Sequence, residues 1–316
     1  MLALLKQSNR ENLASSVDSL IATDKTIGTL DARLAQLAKW KNRRKKPWDL
    51  LRWKDRASVV EGRVEFRKAS LLMSAGRIMD AERAAAQAVK LDGSEDTYRM
   101  LATVLQAEEY PSEALGALLT GWCLTGDDRL NVSAKQLYLG MKYPEDEWES
   151  YAQAFKDSYL TMLLQSAQRR AKSGSSLALP GSCMPKNLPE NAAGVVLIWD
   201  VAGGEPEASI LRELNLMLTS NDIPHSFCYA GIDINAGKQA AKDWGLGFEL
   251  KKRGIRGTRL ESAGIRSLPA AVVIHGNDTP LLLSDSGKLL PQLVQRALET
   301  MNENRPVPSL EEMDDE

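Results

Sequence analysis

The sequence predicts an α + α/β chain, with an all-helical N-terminal half followed by an α/β half, and three observations carry that prediction. Up to about residue 171 apolar residues recur at spacings of three and four, with Gly or Pro between segments, the signature of stacked amphipathic helices. From about residue 192 short Val/Ile/Leu runs alternate with helical stretches, the pattern of βαβ units. Between them RRAKSGSSLALPGSCMPKNLPENAAG holds three prolines and no sustained period, so residues 172–191 read as a linker. A chain of 316 residues also exceeds what one compact core usually needs.

Composition narrows the function classes. With 43% hydrophobic and 26% charged residues and a net charge of −2, no global charge draws the chain to nucleic acid or lipid. The opening MLALLKQSNREN is too short for a signal-peptide core, and no segment reads as membrane-spanning. Cys123, Cys183 and Cys228 are widely spaced and odd in number, offering neither a disulfide framework nor a zinc spacing. The expectation is a reduced, cytoplasmic protein, periplasmic only if the true start carries a signal peptide. Cys228, in an apolar strand-like run, reads as a small buried hydrophobe, and Cys183, in the linker, as an exposed thiol.

Residues 1–60 open with Leu13, Leu20, Ile27 and Leu34 at a spacing of seven, with Leu30 and Leu37 in companion positions. That seam fits either a coiled-coil homodimer through residues 13–37 or a helix packed on the rest of its own half. The basic run WKNRRKKPWDLLRWKDR follows, with Trp40, Trp48 and Trp53. It reads as a solvated helix end and turn. The alternative is contact with nucleic acid or anionic membrane through residues 39–56, with Arg43, Arg44, Lys45 and Lys46 as candidate anion-binding residues.

Residues 61–171 contain two similar stretches about 33 residues apart, GRVEFRKASLLMSAGRIMDAERAAAQAVKLDG and EDTYRMLATVLQAEEYPSEALGALLTGWCLTGD. The first places Ala69, Leu72 and Gly76 around one helix and Ala81, Ala85 and Ala88 on the next. The second offers Tyr98, Leu101, Ala102, Leu105, Ala114 and Leu118. The pair resembles tetratricopeptide repeats, in which small residues let paired helices approach closely. It departs from the family at Gly121, where alanine is usual, and at Gly93 and Gly126, which stand in place of a last-turn proline. Residues 145–171 would add a helix closing the array.

In residues 192–302, VVLIWDV reads as a buried strand, EPEASILRELNLMLTSN as a helix and HSFCYAGIDI as a strand. NAGKQAAKDWGL is then helical, AAVVIHGNDTPLLLS makes two strands around a turn, and KLLPQLVQRALETM closes with a helix. That β-α-β-α-β-β-α order, with Ile265-Arg266-Ser267-Leu268-Pro269 ahead of a β-branched strand, resembles the thioredoxin family. The resemblance implies a cis Leu268–Pro269 bond and a groove lined by Trp199, Gly203, Gly204, Leu268 and Pro269 that takes an extended peptide. It also locates the missing chemistry. The family's reactive cysteines follow the first strand, where this chain reads Ala202-Gly203-Gly204-Glu205-Pro206-Glu207. The stretch at 246–263 is longer than the family has there, and residues 303–316 form an acidic tail.

Other chemistry has little footing in the sequence. His225 and His275, the two histidines, belong to no metal spacing, so neither metal nor cofactor is expected. Ala236-Gly237-Lys238-Gln239 lacks the earlier glycine and the hydroxyl residue of a phosphate loop. Gly203-Gly204 between strand and helix could cradle an anion, but Glu205 and Glu207 would oppose it. The expected function is a non-catalytic protein-interaction, assembly or chaperone-like factor with protein partners and no catalytic residues. Two other readings stay open: an enzyme with an unrecognised thiol- or nucleotide-dependent site in the α/β half, and the nucleic-acid or membrane adaptor.

Overall fold

The computed structural model describes residues 25–36, 38, 50–172, 179–185, 188, 192–201, 204–231, 233–248, 250, 260, 265, 268–275, 280–284 and 286–302. The protein is mostly helical, with a small four-stranded mixed sheet in its C-terminal part. It divides into two compact units. The first comprises Met1–Arg44, Arg56–Trp122 and Asp127–Tyr143, and the second Lys45–Asp55, Cys123–Gly126 and Pro144–Glu316.

The first unit is built from α1 (residues 25–36), α2 (Leu50–Ser74), α3 (Ile78–Leu91), α4 (Glu95–Ala107), most of α5 (Pro111–Thr125) and α6 (Asp128–Gly140). Ala81, Ala84, Ala85 and Ala88 are buried at spacings of three and four on α3, which leaves room for close helix approach. They share a core with Ala69 and Leu72 of α2 and Val104 of α4. Gly93 (φ +60°), just past the Asp92 C-cap of α3, and Gly126 (φ +66°), directly after α5, take the left-handed conformation that ends helices. This is the local job that stands where a last-turn proline was expected. Gly121 has a packing reason of its own, because a Cβ there would come within 2.6 Å of the Tyr98 ring. Of the described seam residues Ile27 and Leu30 are buried and Leu34 is half-buried. Ile27 (7% exposed) packs into the α2–α3–α4 core, Leu30 is buried as well, and Lys68 on α2 reaches Asp31 on α1 at 2.7 Å. Leu13, Leu20 and Leu37 lie outside the described residues.

In the second unit the sheet is β1 (Ala193–Trp199), β2 (His225–Tyr229), β3 (Ala270–His275) and β4 (Leu281–Leu283), in the spatial order β2-β1-β3-β4. β1 runs parallel to β2 and antiparallel to β3, and β3 is antiparallel to β4. Six of the seven β1 residues are buried, as a central strand covered on both faces requires, which is why its sequence is a continuous apolar run rather than an alternation. The helices are α7 (Trp148–Lys172), α8 (Gly204–Ser220), α9 (Ile234–Asp243) and α10 (Leu290–Asn302). On α10, Leu290, Leu293, Val294, Ala297 and Leu298 make a buried stripe, and the helix packs on β1, β3, β4, α7 and α8.

Two boundaries differ from the sequence reading. α7, expected to close the helical array, belongs to the second unit, where it packs on β4 and α10. Arg296 of α10 donates to the Asp157 carbonyl at 2.9 Å and to Thr161 Oγ1 at 3.2 Å, both on α7. The second difference lies in the expected linker, part of which belongs to the hydrophobic core. Leu179, Met184 and Leu188 pack on a cluster that includes Val196, Ile198, Val272 and Ile274, and Cys183 is 1% exposed within it.

Candidate functional site

The residues of interest converge where β1 ends. Ile198 pairs with Ala270 across the antiparallel ladder, so Pro269 and Leu268 come opposite Trp199 and Asp200 as the two strands leave the sheet. On the other side Trp199 pairs with Tyr229, and the Ala230 N–H donates to the Trp199 carbonyl at 2.8 Å. The Leu268–Pro269 bond is cis. Ligands of α/β sheets collect at the carboxyl ends of parallel strands, which is where β1 and β2 both terminate here.

α8 begins five residues after Trp199, at Gly204 (φ +62°), with Pro206 in its first turn, where a missing N–H is harmless. Among the described residues a Cβ at Gly204 would meet nothing within 4 Å, so this position of the helix start is uncrowded. Glu207, one residue on, is 3% exposed, and its Oε1 accepts the Asp200 N–H at 3.2 Å. That bond ties the helix's first turn to the strand end and satisfies a backbone donor that has left the ladder. Glu205 faces outward and pairs with Arg212. Beyond β2, Asp233 caps α9 by accepting from the Asn235 and Ala236 N–H groups at 2.9 and 3.2 Å, while Tyr229 Oη donates to the Asp233 carbonyl at 3.0 Å. Gly231 is boxed in, since a Cβ there would lie 2.6 Å from Asp200 Oδ1 and closer still to Tyr229 Oη.

The expected groove residues are brought together in part. Gly204, Leu268 and Pro269 belong to the site by position, and Gly203 lies outside the described residues. Trp199 has a different place from the one expected of a groove wall. It is fully buried, with ring centroids 4.9 Å from Tyr229, 5.5 Å from Trp244 and 5.8 Å from Phe248, so it supports the strand end from beneath. Its indole N–H and Asp200 Oδ1 are buried without a hydrogen-bond partner among the described residues. The anion-binding candidates Arg43, Arg44, Lys45 and Lys46 all lie outside the described residues, as do Trp40 and Trp48.

Sequence reasoning missed two features. A cavity of about 660 Å³ opens beside the aromatic cluster, lined by Lys238, Ala241, Lys242, Gly245, Phe248 and Leu250. Its one sequence signal is the glycine pair Gly245 and Gly247, both left-handed, which turns the chain sharply after α9. The second is a correction. Cys183 and Cys228 are joined as a disulfide with Cα atoms 5.2 Å apart, so Cys183 is no exposed linker thiol and Cys228 no free one. The turn Gly181–Cys183 lies beside β2, where Ser226 Oγ donates to the Cys183 carbonyl. The remaining cysteine, Cys123, is buried, and burial pushes its thiol up to about 11. Among the described residues no group of three or more His, Cys, Asp or Glu could hold a metal, and no helix is long and apolar enough to cross a membrane. The chain matches no family model, no curated protein and no solved structure.

Proposed function

We propose that this chain is a non-catalytic interaction or assembly factor, in which tetratricopeptide-like helices are joined to a thioredoxin-like domain that lacks the redox pair. The thioredoxin-like reading is supported by the element order β1-α8-β2-α9-β3-β4-α10, the strand order β2-β1-β3-β4 and a cis proline immediately ahead of β3. The observation that carries the non-catalytic reading is the start of α8. There Gly204-Glu205-Pro206-Glu207 occupies the place of a thiolate at a helix N-terminus, and Glu207 is bound to the Asp200 N–H inside the fold. None of these four residues can attack a disulfide.

What stays open at the strand end suits an extended peptide. Gly204 is uncrowded among the described residues, and the Leu268 backbone precedes the cis bond at the sheet's end. Asp200 Oδ1, unpartnered among the described residues at the strand end, is an acceptor that polar binding beside it would satisfy. Two measurements test the reading. In an insulin-reduction assay the protein should run no faster than dithiothreitol alone, and turnover abolished by Cys228→Ser would overturn the redox-inactive assignment. Hydrogen exchange with and without a permanently unfolded, carboxymethylated protein should show protection at Gly204 and Leu268. Protection confined to other segments would place the client elsewhere and refute the groove.

A further inference from the structure

We infer that Cys183 and Cys228 form a disulfide made in an oxidising compartment, and that this bond fastens the segment 179–185 to the sheet as a covalent strap. Two cysteines 45 residues apart have no reason to meet unless the fold brings them together, and their Cα separation of 5.2 Å falls in the window a disulfide spans without backbone movement. Both are buried, at 1% and 0% exposure, so the bond lies within the core cluster and not at the surface. The strap is also held non-covalently. Leu179 and Met184 pack on the core, and Ser226 Oγ donates to the Cys183 carbonyl, while the Cys183 N–H donates to the Pro180 carbonyl at 2.8 Å within the strap's own turn. These contacts align the two thiols before they join.

The chemistry needs an external disulfide, from glutathione disulfide or a protein oxidant, as the two-electron acceptor. The Cys183 thiolate attacks that disulfide and releases one external thiolate. The Cys228 thiolate then attacks Cys183 Sγ in the mixed disulfide and releases the second. Two cysteine thiols are oxidised, one external disulfide is reduced to two thiols, and the two cysteine protons end on them. Such a bond persists in secreted, lumenal or periplasmic proteins and is removed in a reducing cytosol, where the strap would keep only its apolar contacts.

The test uses the full chain, reduced and then refolded in a mixture of reduced and oxidised glutathione. After denaturation without reductant, alkylation with a polymer-linked maleimide should add one group, at Cys123, and prior reduction should raise this to three. Trypsin should release residues 173–186 joined to residues 213–238, with 100–129 carrying the alkylated Cys123. Three reactive thiols before reduction, or a link to peptide 100–129, would overturn the inference. Reduction of the native protein should also raise hydrogen exchange across 179–185 and β2 by about tenfold or more. The Cys183→Ser/Cys228→Ser variant should show no response to reductant. An unchanged exchange rate in the reduced wild type would show that the bond fastens nothing.

Discussion

Gly121→Ala sets two effects of opposite sign against each other. In a helix interior the change removes glycine's backbone freedom and favours folding by roughly 1 kcal/mol. Against this, the new methyl would stand 2.6 Å from Tyr98 Cγ and 2.8 Å from its Cβ and Cδ2. These atoms are the root of the side chain and the near edge of the ring, and Tyr98 is 6% exposed, so the ring cannot swing clear. Overpacking of this kind costs about 1–3 kcal/mol, which leaves a net loss of roughly 1 kcal/mol. For a unit of this size that corresponds to about 4–8 °C in Tm. Urea unfolding followed by far-UV circular dichroism, with both transitions fitted if the two units unfold separately, measures the difference. In a Tyr98→Ala background the clash with the ring is gone and Gly121→Ala should turn stabilising, a coupling of about 1–2 kcal/mol. The tetratricopeptide resemblance alone points the other way, since alanine is usual at this position. A variant stabilised by about 1 kcal/mol with Tyr98 in place, or a cycle without coupling, would refute the packing argument.

Asp127→Asn should destabilise the first unit at neutral pH and cease to do so in acid. Hydrogen bonds from the Arg129 side chain and N–H hold the Asp127 carboxyl down at about 2, below its ordinary 3.8. A depressed carboxylate contributes its stability above the unfolded value and loses it as pH falls through the folded one. The difference between wild type and variant should therefore shrink between pH 4 and pH 2, and a pH-independent difference in thermal melts would refute the charge argument. At the strand end, Glu207→Leu leaves the Asp200 N–H without its acceptor and should cost about 1–3 kcal/mol, while Glu207→Gln, which keeps an acceptor oxygen, should cost less. Equal losses for both variants would mean that the hydrogen bond is not what holds the start of α8.

The elements that local sequence controls were legible. α3 is readable from Ala81, Ala85 and Ala88, because helical period and residue size are properties of neighbours along the chain. β1 is readable from its unbroken apolar run, whereas the cis Leu268–Pro269 bond is an implication of the thioredoxin resemblance. The absence of thiols between Asp200 and Glu207 is a plain sequence fact. What the sequence states about a stripe, however, is that it is apolar and not what covers it. The spacing of Ile27 and Leu30 fits a dimer seam as well as a helix packed at home, and only the structure shows Ile27 in one core with Ala69, Leu72 and Val104.

The same distinction separates the rest. By itself the sequence determined the two-part α and α/β composition, the order of strands and helices, and the absence of any closely spaced cysteine pair. All of these rest on short-range periodicity or on residue identity. Only the tertiary structure decided that α7 packs on β4 and α10, that Trp199 is a buried support and not a groove wall, and that Gly121 makes room for a tyrosine ring. It alone joined Cys183 to Cys228 across 45 residues. Each of these depends on a distance between groups remote along the chain, and such distances are set by the simultaneous burial of many side chains that no local pattern encodes.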